Sequence, residues 1–327
     1  MTAGLRVGIV GCGLIGRKRA EAIRPVDEIV GCTDVVPDAA AALARDYGGT
    51  VCADLDDMLG LEPDVVVIAT THDMLAPLAE RALAGGAHVL VEKPAALGSA
   101  EVERLITAAT AADRLAKVGF NHRFHPALAR LASEVHSGKH GAFLFLRARY
   151  GHGGRPGYEG EWRTDRARSG GGELVDQGMH LLDLTHWIAG PLPLHSALLR
   201  TQFWNIDVED NAAVILGVRD DATAPWAMLH VSWTEWKNTF SLEAYCRTAK
   251  LQVDGLVRSY GSQILRIYRM APELGPPEVE QVEFPDVDAS WSAEWANVAA
   301  AVAGEAELCG SLGDALYAWR CVEEAYA

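Results

Sequence analysis

The stretch VGIVGCGLIG, residues 7–16, constrains this chain more than any other. It runs from apolar β-formers into glycines at 11, 13 and 16, the spacing G-x-G-x-x-G. Such a run suits a strand, a tight turn and a helix. The first glycine permits the turn, the second lets backbone approach a pyrophosphate, and the third lets helix and strand pack closely. Glycine-rich turns are common, so the weight comes from an acid further along the chain. The next apolar run ends at Asp34, 21 residues beyond Gly13. A carboxylate there accepts hydrogen bonds from an adenosine ribose and repels a 2′-phosphate. This predicts NAD as the cofactor, while Arg17, Lys18 and Arg19 leave NADP open.

The first 120 residues repeat the same alternation. Runs at 5–10, 28–33, 64–70, 88–93 and 116–121 read as strands, and 38–47, 74–85 and 99–112 as helices. Unbroken Val/Ile runs suit parallel strands covered on both faces, so the N-terminal part is predicted to be an α/β, doubly wound parallel sheet. After Pro126 the texture changes. Helices are predicted over 126–137 and 171–189, and strands over 195–204, 211–218, 226–236, 239–248, 250–254, 262–269 and 278–284. Helices at 291–303 and 312–326 close the pattern. This predicts an α+β domain with an open, largely antiparallel sheet, and a division into residues 1–123 and 124–327.

With 29 basic against 44 acidic residues the formal charge is −15, and no basic block occurs, which argues against a nucleic-acid partner. The six cysteines show no metal-finger spacing and suggest a reducing compartment. No apolar run approaches the length of a membrane span. A cytoplasmic location without membrane or metal partner is the expectation.

Thr70, Thr71 and His72 come directly after a strand, at the carboxyl edge where open α/β sheets bind ligands. Lys93, in Glu92-Lys93-Pro94, ends the next strand and is one of only six lysines in the chain. A lysine there can donate to a substrate oxygen and stabilise alkoxide character. Taken alone, a surface lysine paired with Glu92 fits as well. The helix predicted over 171–189 is apolar except for Asp176, His180 and Asp183, which share one stripe at 100° per residue. Histidine titrates where a carbinol proton must be moved, so His180 is the candidate acid/base, with Asp176 to orient it and Asp183 behind it. A satisfied structural histidine is the rival reading. The spacing of His180, Asp183 and His186 is not that of a zinc helix.

GCGLIG, EKP (92–94), VGFNHRFHP (118–126), EWR (161–163), GGGELVDQGMHLLDLTHW (170–187), VEDNAAV (208–214) and SLGDALYAW (311–319) occur in this order. Together they resemble the glucose–fructose oxidoreductase, inositol dehydrogenase and MocA (GFO/IDH/MocA) family. The resemblance implies an N-terminal Rossmann domain and a C-terminal sheet whose free face joins a homodimer or homotetramer. It implies that Lys93 is the family's EKP lysine and that Asp176 and His180 are its D-x-x-x-H pair. It places Asn121 and Arg123 near nicotinamide or substrate, and Trp162 and Arg163 near cofactor. Leu14, Ile15, Gly16 and Glu92 complete the candidate cofactor set. Lys93, Arg123, Tyr158, Arg163, Asp176 and His180 form the candidate substrate set.

The segment 150–172 carries Arg155, Arg163, Arg166 and Arg168 in an acidic protein, and its glycines predict a mobile loop. Arginine forks suit phosphate, so a nucleotide-linked or amino sugar, or a cyclitol, is the expected substrate. Pairing with Glu159, Glu161 and Asp165 is the other reading of the same arginines. The leading expectation is an NAD-dependent oxidoreductase acting on a ring carbinol. The alternatives are a redox-neutral enzyme holding NAD for transient oxidation and a non-catalytic NAD sensor.

Overall fold

The computed structural model describes residues 4–271, Glu273 and 275–327. In chain order the N-terminal elements are β1 (Arg6–Val10), α1 (Leu14–Ala22), β2 (Glu28–Thr33), α2 (Pro37–Tyr47), β3 (Thr50–Val51), α3 (Leu55–Leu59), β4 (Val65–Ile68), α4 (His72–Ala84), β5 (His88–Val91), α5 (Ser99–Ala112) and β6 (Ala116–Val118). Then come α6 (Pro126–His136), β7 (Phe143–Gly151), the single turn α7 (Arg166–Ser169), a π-helical segment Leu174–Gly178 and α8 (Met179–Ala189). The strands β8 (Leu194–Arg200), β9 (Asn211–Gly217), β10 (Trp226–Ser232), β11 (Thr239–Cys246), β12 (Ala249–Asp254), β13 (Ile264–Arg269) and β14 (Glu278–Glu283) precede α9 (Ser290–Val302) and α10 (Leu312–Tyr326).

The chain divides into two compact units. The first contains the chain up to Asn121 together with Trp291–Leu316. Its six strands are parallel in the order β3-β2-β1-β4-β5-β6, the doubly wound topology expected. The order reverses between β1 and β4, whose carboxyl ends carry Gly11 and Thr70. Val7, Ile9, Val65 and Val67 are buried on this sheet and share a core with Trp295 and Val298 of α9. That packing is why residues 291–316 depart from the division at residue 123. Burying large apolar side chains outweighs sequence distance, at about 25 cal/mol per Å². Among the described residues no helix is long and apolar enough to cross a membrane.

The second unit spans His122–Ser290 and Tyr317–Ala327. Its sheet runs β14-β13-β12-β11-β7-β10-β9-β8, antiparallel except for the β7–β10 pair. One face takes α6 and α8. The central strand β7 lies outside the seven predicted; its signal was the period-two run Leu146, Ala148, Tyr150 (buried) against Arg147 and Arg149 (exposed). The predicted strand 195–204 stops at Arg200 because the Asp210 carboxylate gathers the N–H groups of Gln202, Phe203 and Trp204 into a loop.

The helix predicted over 171–189 differs most. It opens as a π turn and becomes α-helical only from Met179. The wider turn changes the angular step per residue at Asp176, ahead of the α-helical turns that carry His180 and Asp183. The glycines before it serve packing. A Cβ on Gly171 would lie 2.1 Å from the Tyr326 hydroxyl, and one on Gly172 would lie 2.1 Å from the Glu209 carbonyl.

Candidate active site

In the first unit, the end of β1 builds a phosphate cradle. Gly11 has φ +91°, and a Cβ there would lie 2.4 Å from the Ala69 carbonyl oxygen. A Cβ on Gly16 would meet the Gly11 carbonyl oxygen at 1.9 Å, so α1 can approach β1 only with glycine there. Gly13, the N-cap of α1, has nothing within 4 Å of its Cβ direction. No side chain caps this helix end and no acid occupies its first turn, so the N–H groups at Leu14, Ile15 and Gly16 present the positive end of the helix. A dinucleotide pyrophosphate fits this cradle. Asp34 sits just past β2, where Oδ2 accepts from the Cys12 N–H at 2.6 Å and Oδ1 from Val36 N–H at 2.8 Å. These bonds hold a carboxylate just past the carboxyl end of β2.

Thr71 is the N-cap of α4, and His72, its first residue, is buried. Thr70 bonds through its hydroxyl to the Thr71 carbonyl at 3.2 Å. Lys93 is half-buried immediately after β5. Glu92 is buried and receives Arg19 Nε at 2.6 Å. Its carboxylate therefore points into an internal ion network, which gives it a structural task besides any contact through its backbone. Asn121 is buried at the end of this unit.

In the second unit, His180 occupies the first turn of α8 and is buried. Its ring is stacked on His122, with centroids 3.8 Å apart and planes inclined by 21°. Tyr150, from β7, lies 5.3 Å from His122 and 6.2 Å from His180. Burial pushes the Tyr150 phenol well up, and burial likewise raises Tyr260 to about 12, so both rings carry neutral hydroxyls at working pH. Asp176 lies in the π turn, and its Oδ2 is 3.6 Å from Arg163 Nε. Arg163 in turn lies over the Trp162 ring at 4.6 Å. Tyr158 is buried, its hydroxyl pushed up by burial and by the negative charges of Asp176 and Glu173.

The remaining predictions divide. Asp183 is wholly buried and accepts Arg123 Nε at 2.9 Å and Nη2 at 2.6 Å, so Arg123 carries an internal ion pair in addition to any substrate role. Residues that the motifs did not single out also shape the site. Glu209 accepts from the N–H groups of Gly172 (3.1 Å) and Leu174 (3.0 Å) and from the Tyr326 hydroxyl (2.8 Å), anchoring the start of the π turn. The His122 stack is the other, and its only signal was the single histidine of FNHRF. Among the described residues no group of three or more His, Cys, Asp or Glu side chains is arranged to hold a metal ion.

A doubly wound parallel sheet with a glycine cradle, then a mixed sheet bearing a buried Asp/His helix, defines a two-unit dinucleotide oxidoreductase architecture. Residues 5–120 match the GFO/IDH/MocA model described as an oxidoreductase family with an NAD-binding Rossmann fold, and residues 128–252 match the GFO/IDH/MocA C-terminal domain. A protein of Amycolatopsis mediterranei (strain S699), named as the oxidoreductase subunit of a UDP-kanosamine synthase, is 30% identical over 254 residues, 70% of this chain and 68% of its own length. Levoglucosan dehydrogenase of Pseudarthrobacter phenanthrenivorans is 27% identical over 230 residues, 65% of this chain and 58% of its own. The solved structure of levoglucosan dehydrogenase with NADH and levoglucosan matches with a TM-score of 0.86, covering 99% of this chain and 97% of that one at 20% identity, a likeness of fold. The chain belongs to the GFO/IDH/MocA family of NAD-binding oxidoreductases.

Proposed function

We propose that this protein is an NAD-dependent dehydrogenase of a sugar ring hydroxyl. The observation that carries the reading is His180: a buried imidazole at the start of an apolar helix, backed by a second imidazole and one turn beyond a carboxylate that an arginine approaches. In oxidation His180 takes the carbinol proton, and in reduction it returns it. Lys93 has the donor to hydrogen-bond a substrate oxygen and stabilise its developing negative charge. Asp176, approached by Arg163, orients the substrate or the imidazole. Bound NAD would supply the hydride acceptor, held by Gly11, Gly13, Leu14, Ile15, Gly16 and Asp34. Thr70, Thr71, His72, Asn121, Trp162 and Arg163 belong to the same proposed cofactor set.

A nucleotide-linked or amino sugar is the substrate class we favour. Arg155 is exposed and paired with Glu161 at 2.5 Å, while Arg163 adds a second guanidinium beside Tyr158 and Asp176. The relative named for a UDP-kanosamine synthase supports the same class. Exposed Phe203 and Trp236 meet edge to face at 4.7 Å and offer a platform for a ring.

The open face of the C-terminal sheet is the proposed surface for a homodimer or homotetramer. There Phe145 stacks between Trp226 at 5.0 Å and Tyr245 at 4.1 Å across three adjacent strands. Six free cysteines fit a cytoplasmic location.

The test is NADH formation from NAD with free sugars, cyclitols and nucleotide sugars, with His180→Ala protein as the blank. Turnover by wild type alone, lost in Lys93→Ala while NAD still binds, supports the assignment. Equal turnover in His180→Ala sinks the acid/base role. A flat panel with NAD released on denaturation points instead to a redox-neutral reaction.

A further inference from the structure

Four charged side chains meet in the interior of the first unit, and the proposed hydride transfer uses none of them. Arg19 of α1 is 2% exposed, Lys117 of β6 1% and Glu294 of α9 0%; Glu92, after β5, is 8% exposed. Arg19 gives Nε to Glu92 at 2.6 Å and Nη1 to Glu294. The other oxygen of Glu294 takes Lys117 Nζ at 3.0 Å. Lys117 also donates to the backbone carbonyls of Val118 and Cys309. The Arg19 guanidinium is covered by the Trp291 ring, 4.5 Å away.

The backbone has been shaped around this cluster. A Cβ on Gly119 would lie 2.6 Å from Arg19 Nη2 and 2.9 Å from Glu92 Oε2. One on Gly310 would lie 2.8 Å from Lys117 Nζ. Two glycines thus leave room for the ends of these charged side chains.

Buried charges are a poor route to stability, because desolvation offsets much of their attraction and an apolar replacement often does as well. Their retention asks for another role, and their connectivity supplies one. Arg19 lies on the helix whose N-terminus forms the phosphate cradle. Glu92 is the residue before Lys93, and the turn it opens is closed by the Ala95 N–H bonding to the Glu92 carbonyl at 2.9 Å. Glu294 comes from a helix about 200 residues later and is the anion shared by both cations. The two acids divide the charge unequally. Burial would raise both, but Arg19 and Lys117 together hold Glu294 low, whereas burial keeps Glu92 raised despite Arg19. The groups facing Glu92 are Arg19, Glu294 and Lys93.

We infer that Arg19, Glu92, Glu294 and Lys117 act as one buried positioning unit for Lys93, in which Glu92 anchors the turn that carries the neighbouring ammonium and the other three hold Glu92. The inference rests on the role proposed for Lys93, but its test needs no turnover.

The experiment is trace acetylation of the full chain with acetic anhydride across pH 7–10.5, with each lysine followed by peptide mass spectrometry. Only six lysines need resolving, and exposed Lys237 is the internal reference. Glu92 ties the turn that carries Lys93 to Arg19, so releasing it opens the Lys93 amine to the reagent. Glu92→Gln therefore raises Lys93 labelling about three- to tenfold across the pH range, relative to Lys237. Glu294→Gln, one link further away, raises it about twofold. Lys237 is unmoved in both, and unchanged far-UV circular dichroism confirms an intact fold.

If Glu92→Gln does not fold, Glu92→Gln/Lys117→Met leaves a balanced Arg19–Glu294 pair and carries the same expected rise. Superimposable Lys93 curves in wild type and in the Glu92 variant that folds overturn the proposal. A rise in Glu92→Gln with none in Glu294→Gln overturns the four-residue unit. Full turnover in Lys93→Ala protein would instead sink the catalytic reading of Lys93 and leave the labelling result standing.

Discussion

His122 lies against His180 with ring centroids 3.8 Å apart and planes 21° from parallel. His122 is itself boxed by His125 at 5.4 Å and Tyr150 at 5.3 Å, so the stack fixes the plane of the proposed acid/base. A stacked aromatic pair is worth about 0.5–1.5 kcal/mol beyond its area, up to about tenfold in a rate that depends on orientation. His122→Ala should lower kcat/KM by roughly fivefold to tenfold, and His122→Phe should recover most of it. Steady-state rates at one pH check this, and equal losses in both variants would show that the ring's nitrogens, not its face, matter.

The three glycines of the cradle should separate by consequence. Gly13→Ala adds a methyl to open space, so the melting temperature should change little while NAD binding weakens by roughly tenfold or more, because the methyl takes the pyrophosphate's approach. Gly16→Ala drives a methyl against the Gly11 carbonyl and should lower the melting temperature by several degrees. Calorimetry with and without NAD distinguishes the two. Unchanged NAD affinity in Gly13→Ala would remove the cradle from the cofactor site.

Asp34 should set the preference between the two nicotinamide cofactors. Its carboxylate is held by the Cys12 and Val36 N–H groups, so a shorter neutral side chain removes the repulsion of a 2′-phosphate. Asp34→Ser is expected to raise the ratio of NADP to NAD use by about tenfold or more, measured as paired kcat/KM values. An unaltered ratio would place the ribose elsewhere.

Glu134 should make stability pH-dependent. Burial would raise its carboxyl, but Lys139, Arg130 and His140 overcome that and hold it at about 2. A folded value below the unfolded one stabilises the protein above the unfolded value of about 4.5, and the contribution is lost as pH falls towards 2. Glu134→Gln should therefore be less stable than wild type at pH 7 by about 1–3 kcal/mol, with the gap closing below pH 4.5. Guanidinium unfolding at pH 7, 4 and about 2.5 measures it. A gap that persists unchanged at the lowest pH would mean that packing, not charge, is lost.

The first unit was largely legible from sequence because its signals are local. The 99–112 helix and the 28–33 strand fall where their residue patterns put them, and glycine spacing anticipates the close approaches at Gly11 and Gly16. Asp176, His180 and Lys93 stand out because polar residues interrupt apolar runs. The segment 150–172 was less legible. Composition shows only that the segment is rich in glycine; the structure adds that Gly154, Gly157 and Gly170 have positive φ and that Gly171 and Gly172 make room for Tyr326 and Glu209.

What the sequence determined by itself is therefore periodic or local: the alternation that makes a doubly wound sheet, the turn that only glycine permits, and the residue types of the proposed chemistry. Tertiary structure decided what no window of neighbouring residues contains. A π turn, not an α turn, came to hold Asp176 ahead of His180. His122 met His180 across 58 positions, and Glu294 reached Arg19 across 275. α9 joined the core of the first unit rather than the second. These outcomes depend on which buried surfaces and charges find one another once the sheets have formed, and that pairing is a property of the packed chain.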